Sequence, residues 1–150
     1  MVERELEKAI IDAVAALGIE GVALTGAWQG AASGAVKGVE SASARAVCAV
    51  SVRPRTYETF TTPRADFAAS IALAVRREMC PDGAALSGIA GPILEMLDGW
   101  QKSIGTLRAA LPVDRLGICG LRLDGGEVAF DEGRGAWTVS QAFTIRGIVR

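Results

Sequence analysis

The stretch from Trp137 to Val149 does most to constrain what this chain can fold into. Trp137, Val139, Phe143, Ile145 and Val149 fall on one side of an extended backbone, and Thr138, Ser140, Thr144 and Arg146 on the other. A period of two marks a strand with one face covered and one face in water. Strands of that kind belong to antiparallel sheets, because parallel strands are covered on both faces and read as unbroken apolar runs. The expectation is an antiparallel sheet with helices over one face. Only Arg150 follows this strand, so no functional tail is expected beyond it.

The rest of the composition bounds the function class. A chain of 150 residues makes one ordinary domain, able to bury about two-thirds of the surface its unfolded form exposes. Sixteen Lys and Arg against seventeen Asp and Glu leave a net charge of -1, and half the residues are apolar. That balance suits a globular domain and argues against a nucleic-acid binder or a polybasic membrane binder. Arg45, Arg53, Arg55, Arg64, Arg76 and Arg77 do gather in the middle third, where solvated strand edges and turns account for them. The charged N-terminus, Met1 to Lys8, is no secretory signal, and no apolar run approaches the roughly 18 residues of a membrane span. A cytosolic chain is expected. Its three cysteines, Cys48, Cys80 and Cys119, are odd in number and widely spaced, which disfavours a disulfide framework. Cys48 and Cys119 sit among apolar neighbours and read as small buried residues.

Val2 to Leu17 predicts a first helix, with Leu6, Ile10, Val14 and Leu17 on its apolar face and Gly18 as its stop. Gly21 to Leu24 suggests a short strand. From about 26 to 43 the chain is dominated by Gly, Ala and Ser, with Gly26, Gly30, Gly34 and Gly38 four apart, and is expected to be a flexible loop. Arg45–Arg53 and Phe67–Arg76 read as two strands joined by residues 54–66, whose Thr, Tyr and Phe content suggests a projecting hairpin. After the Cys80-Pro81-Asp82-Gly83 break, a second helix is expected from about Ala84 to Ile104, restarting at Gly91-Pro92. It would lay Ile89, Ile93, Met96, Leu97, Trp100 and Ile104 on the sheet. Leu116–Leu123 predicts another strand, Asp124–Glu127 a turn, Val128–Phe130 a short extra strand, and Asp131–Gly135 the turn into the last strand. The fold class is therefore α+β: an antiparallel sheet of four to five strands, two helices on one face, and a projecting hairpin, in a single domain spanning 1–150.

Chemistry is sparse. The chain has no histidine, which removes the Ser-His-Asp and Cys-His arrangements and the commonest metal ligand. Glu95 and Asp98 share a helix face three residues apart and are the nearest thing to a carboxylate pair, although a solvated helix surface explains them equally well. The Gly-rich stretch lacks the Gly-Lys-Ser/Thr of a phosphate loop. No catalytic, cofactor-binding or metal-binding set is assigned. Trp28, an aromatic in the Gly-rich loop, suits an interface anchor as well as it suits the edge of its own domain.

The order of elements resembles the tail-terminator and tail-completion proteins of long-tailed bacteriophages and prophages. The opening helix, the strand Ala46 to Arg53, the return strand Phe67 to Val75, the helix around Pro92 to Trp100 and the closing Gln141 to Ile148 carry this resemblance. It implies an α+β subunit of a six-membered ring that caps the tail tube, with tail-tube protein and head-connector proteins as partners. It also implies assembly in the bacterial cytoplasm, incorporation into the virion tail, no enzymatic activity and no cofactor. The candidate contacts with other subunits or partners are Trp28, Arg53, Arg55, Tyr57, Phe60 and Arg64, from the Gly-rich loop and the hairpin connector. Two other classes stay open: another tail-tube or baseplate component, and a small cytoplasmic ligand-binding or enzymatic α+β domain using a cysteine or a carboxylate pair.

Overall fold

Three helices and six strands are described by the computed structural model, which covers residues 2–19, 22–26, 46–57, 63–77, 86–133 and 135–150. Helix α1 (Val2–Ala16) forms where Val2, Leu6, Ile10 and Val14 recur every fourth residue, and all four are buried. Burying an aliphatic side chain of this size is worth about 1.5–3 kcal/mol, which ties the helix to the core. Glu3 and Glu5 lie in its first turn, where the helix dipole favours negative charge. The helix ends at Gly18, whose φ of 65° is a left-handed conformation that costs glycine nothing.

The strands are β1 (Val22–Gly26), β2 (Ala46–Val52), β3 (Thr56–Tyr57), β4 (Arg64–Arg76), β5 (Leu116–Asp131) and β6 (Ala136–Val149). They pair in the order β1-β2-β4-β6-β5, with β3 also on β4. Strands β2 to β6 are antiparallel, as the alternation of the closing strand requires. The exception is β1, which the sequence placed at Gly21–Leu24 without a direction and which pairs with β2 in parallel. A parallel neighbour needs a crossover of about a dozen residues or more, and the Gly- and Ala-rich residues 27–45 provide that length. Apart from Gly26, the predicted loop at 26–43 lies outside the described residues.

Helix α2 (Leu86–Lys102) and helix α3 (Ile104–Ala110) join α1 over one face of the sheet. The buried side chains of all three helices fall in one cluster with Cys48, Val50, Phe67, Leu73, Phe143 and Ile145. On β6 the apolar positions behave as the sequence required: Phe143 and Ile145 are fully buried, and Trp137, Val139 and Val149 pack against the same cluster. Residues Ile71 to Val75 of β4 are buried on both faces, which accounts for a run there that does not alternate.

Several expectations need correction. Helix α2 runs straight through Pro92 instead of restarting there. The carbonyl that Pro92 cannot partner belongs to Gly88, one turn back in the same helix. Ile104 does not continue α2. It opens α3, a third helix, and is 41% exposed. Ser103 caps this helix by accepting a hydrogen bond from Thr106 N at 3.3 Å, and Leu107 anchors it. Asp124–Glu127 is not a turn, and Val128–Phe130 is not a separate strand. The two predicted strands are one sixteen-residue strand, β5, with its register shifted between Leu123 and Gly126. Asp124 and Gly125 form a bulge there, and Gln141 Nε2 donates to Asp124 O at 3.1 Å and to Gly125 O at 3.5 Å, partnering carbonyls the ladder has lost. A Cβ on Gly126 would lie 2.8 Å from Gln141 Oε1, so a larger residue there would displace that side chain.

Candidate functional site

Four of the six sequence-selected contact residues lie near the end of β2 and the start of β4, but Tyr57 falls on the helix-covered face of the sheet and Arg53 and Arg64 on the other face. Strand β3 lies on the start of β4, with Thr56 opposite Asp66 and Tyr57 opposite Ala65. Arg64 begins β4 opposite Ile148 of β6, and Arg53 N donates to Ala68 O at 2.9 Å as β2 ends. Arg53, Tyr57 and Arg64 are exposed, Tyr57 by 53%. Trp28 and Phe60 lie outside the described residues.

Arg55 plays a different part. Its Nε and Nη2 donate to Glu3 Oε1 and Oε2 at 2.6 and 3.1 Å, and its backbone N donates to Oε1 at 3.3 Å. The guanidinium lies 5.8 Å from the centre of the Phe67 ring, and Nη1 donates to the Tyr57 hydroxyl at 3.4 Å. The fork from Arg55 holds the Glu3 carboxyl below its ordinary range, outweighing the effect of burial. The pair stitches the first turn of α1 to the sheet and sets Tyr57 beside it. Sequence reasoning placed Arg55 among the contacts because it lies in the hairpin connector. Its partner is 52 residues away, at a separation no local pattern reports.

The face of the sheet away from the helices is polar and nearly balanced. Arg146 Nε donates to Asp66 Oδ1 at 2.8 Å across β4 and β6, and Arg122 Nε to Asp124 Oδ1 at 2.9 Å. The Thr144 hydroxyl donates to Asp124 Oδ2 at 2.7 Å. These bonds hold the carboxyls of Asp66 and Asp124 below their ordinary range. Strand β5 is outermost in the sheet, and among the described residues no strand pairs with its outer edge, although Arg108 Nε donates to Ile118 O and Leu123 N donates to Gln101 Oε1 at 3.3 Å. Val128, towards its end, is 63% exposed.

Two concavities flank the helices. One, of about 560 Å³, lies between α1 and the α2–α3 pair, floored by Ala9, Ala13, Met96, Trp100 and Ala110 and rimmed by Glu5, Lys8 and Asp12. The other, of about 520 Å³, lies near Arg108, Cys119 and Arg150. In it, Arg108 Nε donates to Ile118 O at 2.8 Å and the Cys119 thiol to Gly117 O at 3.6 Å. The Cys119 thiol is thus bonded to a backbone carbonyl and not to a carboxylate. Burial pushes the Cys48 thiol up to about 12, which makes it a poor nucleophile. Asp98 pairs with Lys102 at 2.7 Å on an exposed helix face, so the Glu95–Asp98 pair has the solvated setting of an ordinary helix surface. Among the described residues no group of three or more Cys, Asp or Glu is arranged to hold a metal ion. None of the described helices is long and apolar enough to cross a membrane.

No family model matches the chain, and no curated protein does. Among solved structures it is similar to a chain from the virion of a native gene transfer agent particle, at 15% identity and a TM-score of 0.45 over 95% of this chain and 94% of that one. That likeness is too slight to bear on function.

Proposed function

We propose that this chain is a structural subunit of a phage or prophage particle. In this reading it is a tail-terminator or tail-completion protein that caps the tail tube as a six-membered ring and presents a surface to head-connector proteins. The observation that carries the reading is strand β5, a sixteen-residue outermost strand that offers main-chain donors and acceptors, with the exposed Val128 beside them. A long open edge is a hazard in a free monomer and an asset in a subunit, since a neighbour can add a strand to it. The resemblance in element order supports the same reading. Its partners are further copies of this chain, tail-tube protein and the head connector. It assembles in the bacterial cytoplasm and ends in the virion tail.

Light scattering from micromolar to millimolar concentration, with negative-stain imaging and added tail-tube protein, tests the proposal. Six-subunit rings with a central hole, formed alone or on the tube, are expected. A monomer that ignores tube protein throughout that range refutes it.

A further inference from the structure

We infer that the outer edge of β5 beyond its second register shift, from Gly126 to Phe130, is a two-fold contact at which the same segment of a second copy pairs antiparallel. Such a contact joins copies in pairs, so it differs from the head-to-tail contact that closes a ring and stands or falls apart from the ring reading.

The two halves of this edge differ. The first half is engaged from the helices and the turn before the strand: Leu116 N donates to Val113 O at 3.1 Å, Arg108 Nε to Ile118 O at 2.8 Å, and Leu123 N to Gln101 Oε1 at 3.3 Å. Past the second shift, Gly126, Glu127, Val128 and Ala129 are all exposed. Four consecutive exposed residues in a strand mean that neither of its faces is covered. Among the described residues this half of β5 pairs with β6 alone.

The register decides which main-chain groups face outward. Val149 N donates to Pro63 O, on the β4 side, and β6 pairs with β4 without a shift from Ala136 to Ile148. Odd-numbered residues of β6 therefore turn their main chain towards β4 and away from β5. Gly126, Val128 and Phe130 stand opposite Gln141, Val139 and Trp137. Their own N–H and C=O groups thus point to the outer edge, where a further strand would meet them.

This segment is complementary to itself. A second copy laid antiparallel about Val128 sets Val128 against Val128 and Gly126 against Phe130. Outward groups then meet outward groups and form about six main-chain hydrogen bonds. The Phe130 ring lies 4.9 Å from the Trp137 ring and 5.8 Å from the Arg77 guanidinium, so it needs little further ordering to cover the partner's Gly126. Val128, 63% exposed in one copy, gains an apolar neighbour, and Glu127 falls opposite Ala129. Sliding the copy by two residues one way sets Glu127 against Glu127, and sliding it the other way carries Gly126 past the end of the strand at Asp131. The register about Val128 is therefore the favoured one.

Two substitutions at Val128 test the contact. Val128→Pro removes one outward N–H from each copy and no bond to β6, so the fold should survive with little change in its melting curve. Its dimer dissociation constant, measured by sedimentation, should rise about thirtyfold, because two main-chain bonds are lost from each dimer. Cross-linking reads the register. Val128→Cys copies would face each other about 5.5 Å apart between Cα atoms, within disulfide range. Under mild oxidation they should link about tenfold faster than Glu127→Cys copies, each compared with the unaltered protein, whose own cysteines set the background. Self-association unchanged by Val128→Pro, or linking as fast at 127 as at 128, overturns the pairing, and rings that form regardless leave the ring reading standing. If Val128→Pro loses tube protein but self-associates as before, the edge takes another protein's strand and the inference falls. An unaltered protein that stays monomeric at millimolar concentration overturns it as well. If copies pair as inferred but never form a ring, with or without tube protein, this contact stands and the ring reading falls.

Discussion

Replacing Glu3 with Gln isolates a single tertiary interaction of well-defined geometry. Glu3 and Arg55 join the first turn of α1 to the β2–β3 connection through two side-chain bonds and one from the backbone. Their side chains are 11% and 20% exposed, between the exposed ion pair and the fully buried one. Exposed pairs contribute about 0.2–1 kcal/mol, whereas breaking a buried pair costs about 3–5 kcal/mol because a charge is left without a partner. The Glu3→Gln side chain would keep one acceptor and lose the charge, so a cost of about 2 kcal/mol is expected. At this chain length that corresponds to a fall in melting temperature of about 4–8 °C.

The pH dependence gives a sharper readout than the magnitude. Arg55 lowers the folded-state pKa of Glu3 from its ordinary value of 4.5. In the window between the two values the unfolded chain binds more protons than the folded one, so stability falls as pH falls. The contribution is complete above the unfolded value and is lost as pH drops through the folded one. Asp66 and Asp124 are lowered too, so acid weakens the native protein for several reasons. The difference between native protein and Glu3→Gln removes those shared terms. Urea unfolding at a series of pH values should give a gap that is constant near neutrality and shrinks steadily below about pH 4.5. A gap below about 0.5 kcal/mol at pH 7, or one that persists unchanged into acid, would refute the account of this pair as a partly buried charged clamp.

Other consequences follow from single contacts. Gly147→Ala places a Cβ 2.6 Å from Leu116 Cδ1 and 3.1 Å from the Gly117 carbonyl, so a loss of about 1–3 kcal/mol is expected in denaturant unfolding. Gln141→Ala removes the amide that partners the bulge carbonyls; about 1 kcal/mol should be lost, and hydrogen exchange should quicken around Leu123–Gly126 before it does elsewhere in β5. Cys48 is fully buried with its thiol pushed up to about 12, so peptide mapping after alkylation should find it modified only at the rate of global unfolding. Modification of Cys48 well ahead of unfolding would mean that the sheet centre opens locally.

What the sequence revealed about this fold follows the reach of each signal. The alternation in β6 and the fourfold spacing in α1 are local, and both translate directly into buried faces: Phe143 and Ile145 in one, Leu6 and Ile10 in the other. The signals that misled are also local but have two meanings. Asp124-Gly125-Gly126 is turn chemistry, yet the same residues suit a bulge when a glutamine on the facing strand supplies donors to their carbonyls. Gly91-Pro92 suggests a helix end, although the helix continues through it. Helix α3 was hidden because Gly105 and Thr106 are weak helix formers, while its cap Ser103 and anchor Leu107 are too few to outweigh them. The concavity between α1 and the α2–α3 pair could not be read at all. Its walls come from residues about ninety apart, and alanines at 9, 13 and 16 pass for the ordinary flank of an amphipathic helix.

Strand β5 bears on how an exposed edge is kept selective. A flat apolar edge pairs with any strand that comes near, and natural sheets blunt such edges with charge and with bulges. Here the register shifts twice, between Ile118 and Gly120 and between Leu123 and Gly126, and Arg122 and Glu127 stand on either side of the second shift. A partner strand running the whole edge must match both irregularities or leave main-chain groups without partners. The whole edge therefore contributes to affinity only once another contact has fixed the orientation of the two copies. The rotation relating one copy to the next then decides between a closed ring and an open filament, and a ring of six requires about 60° per step.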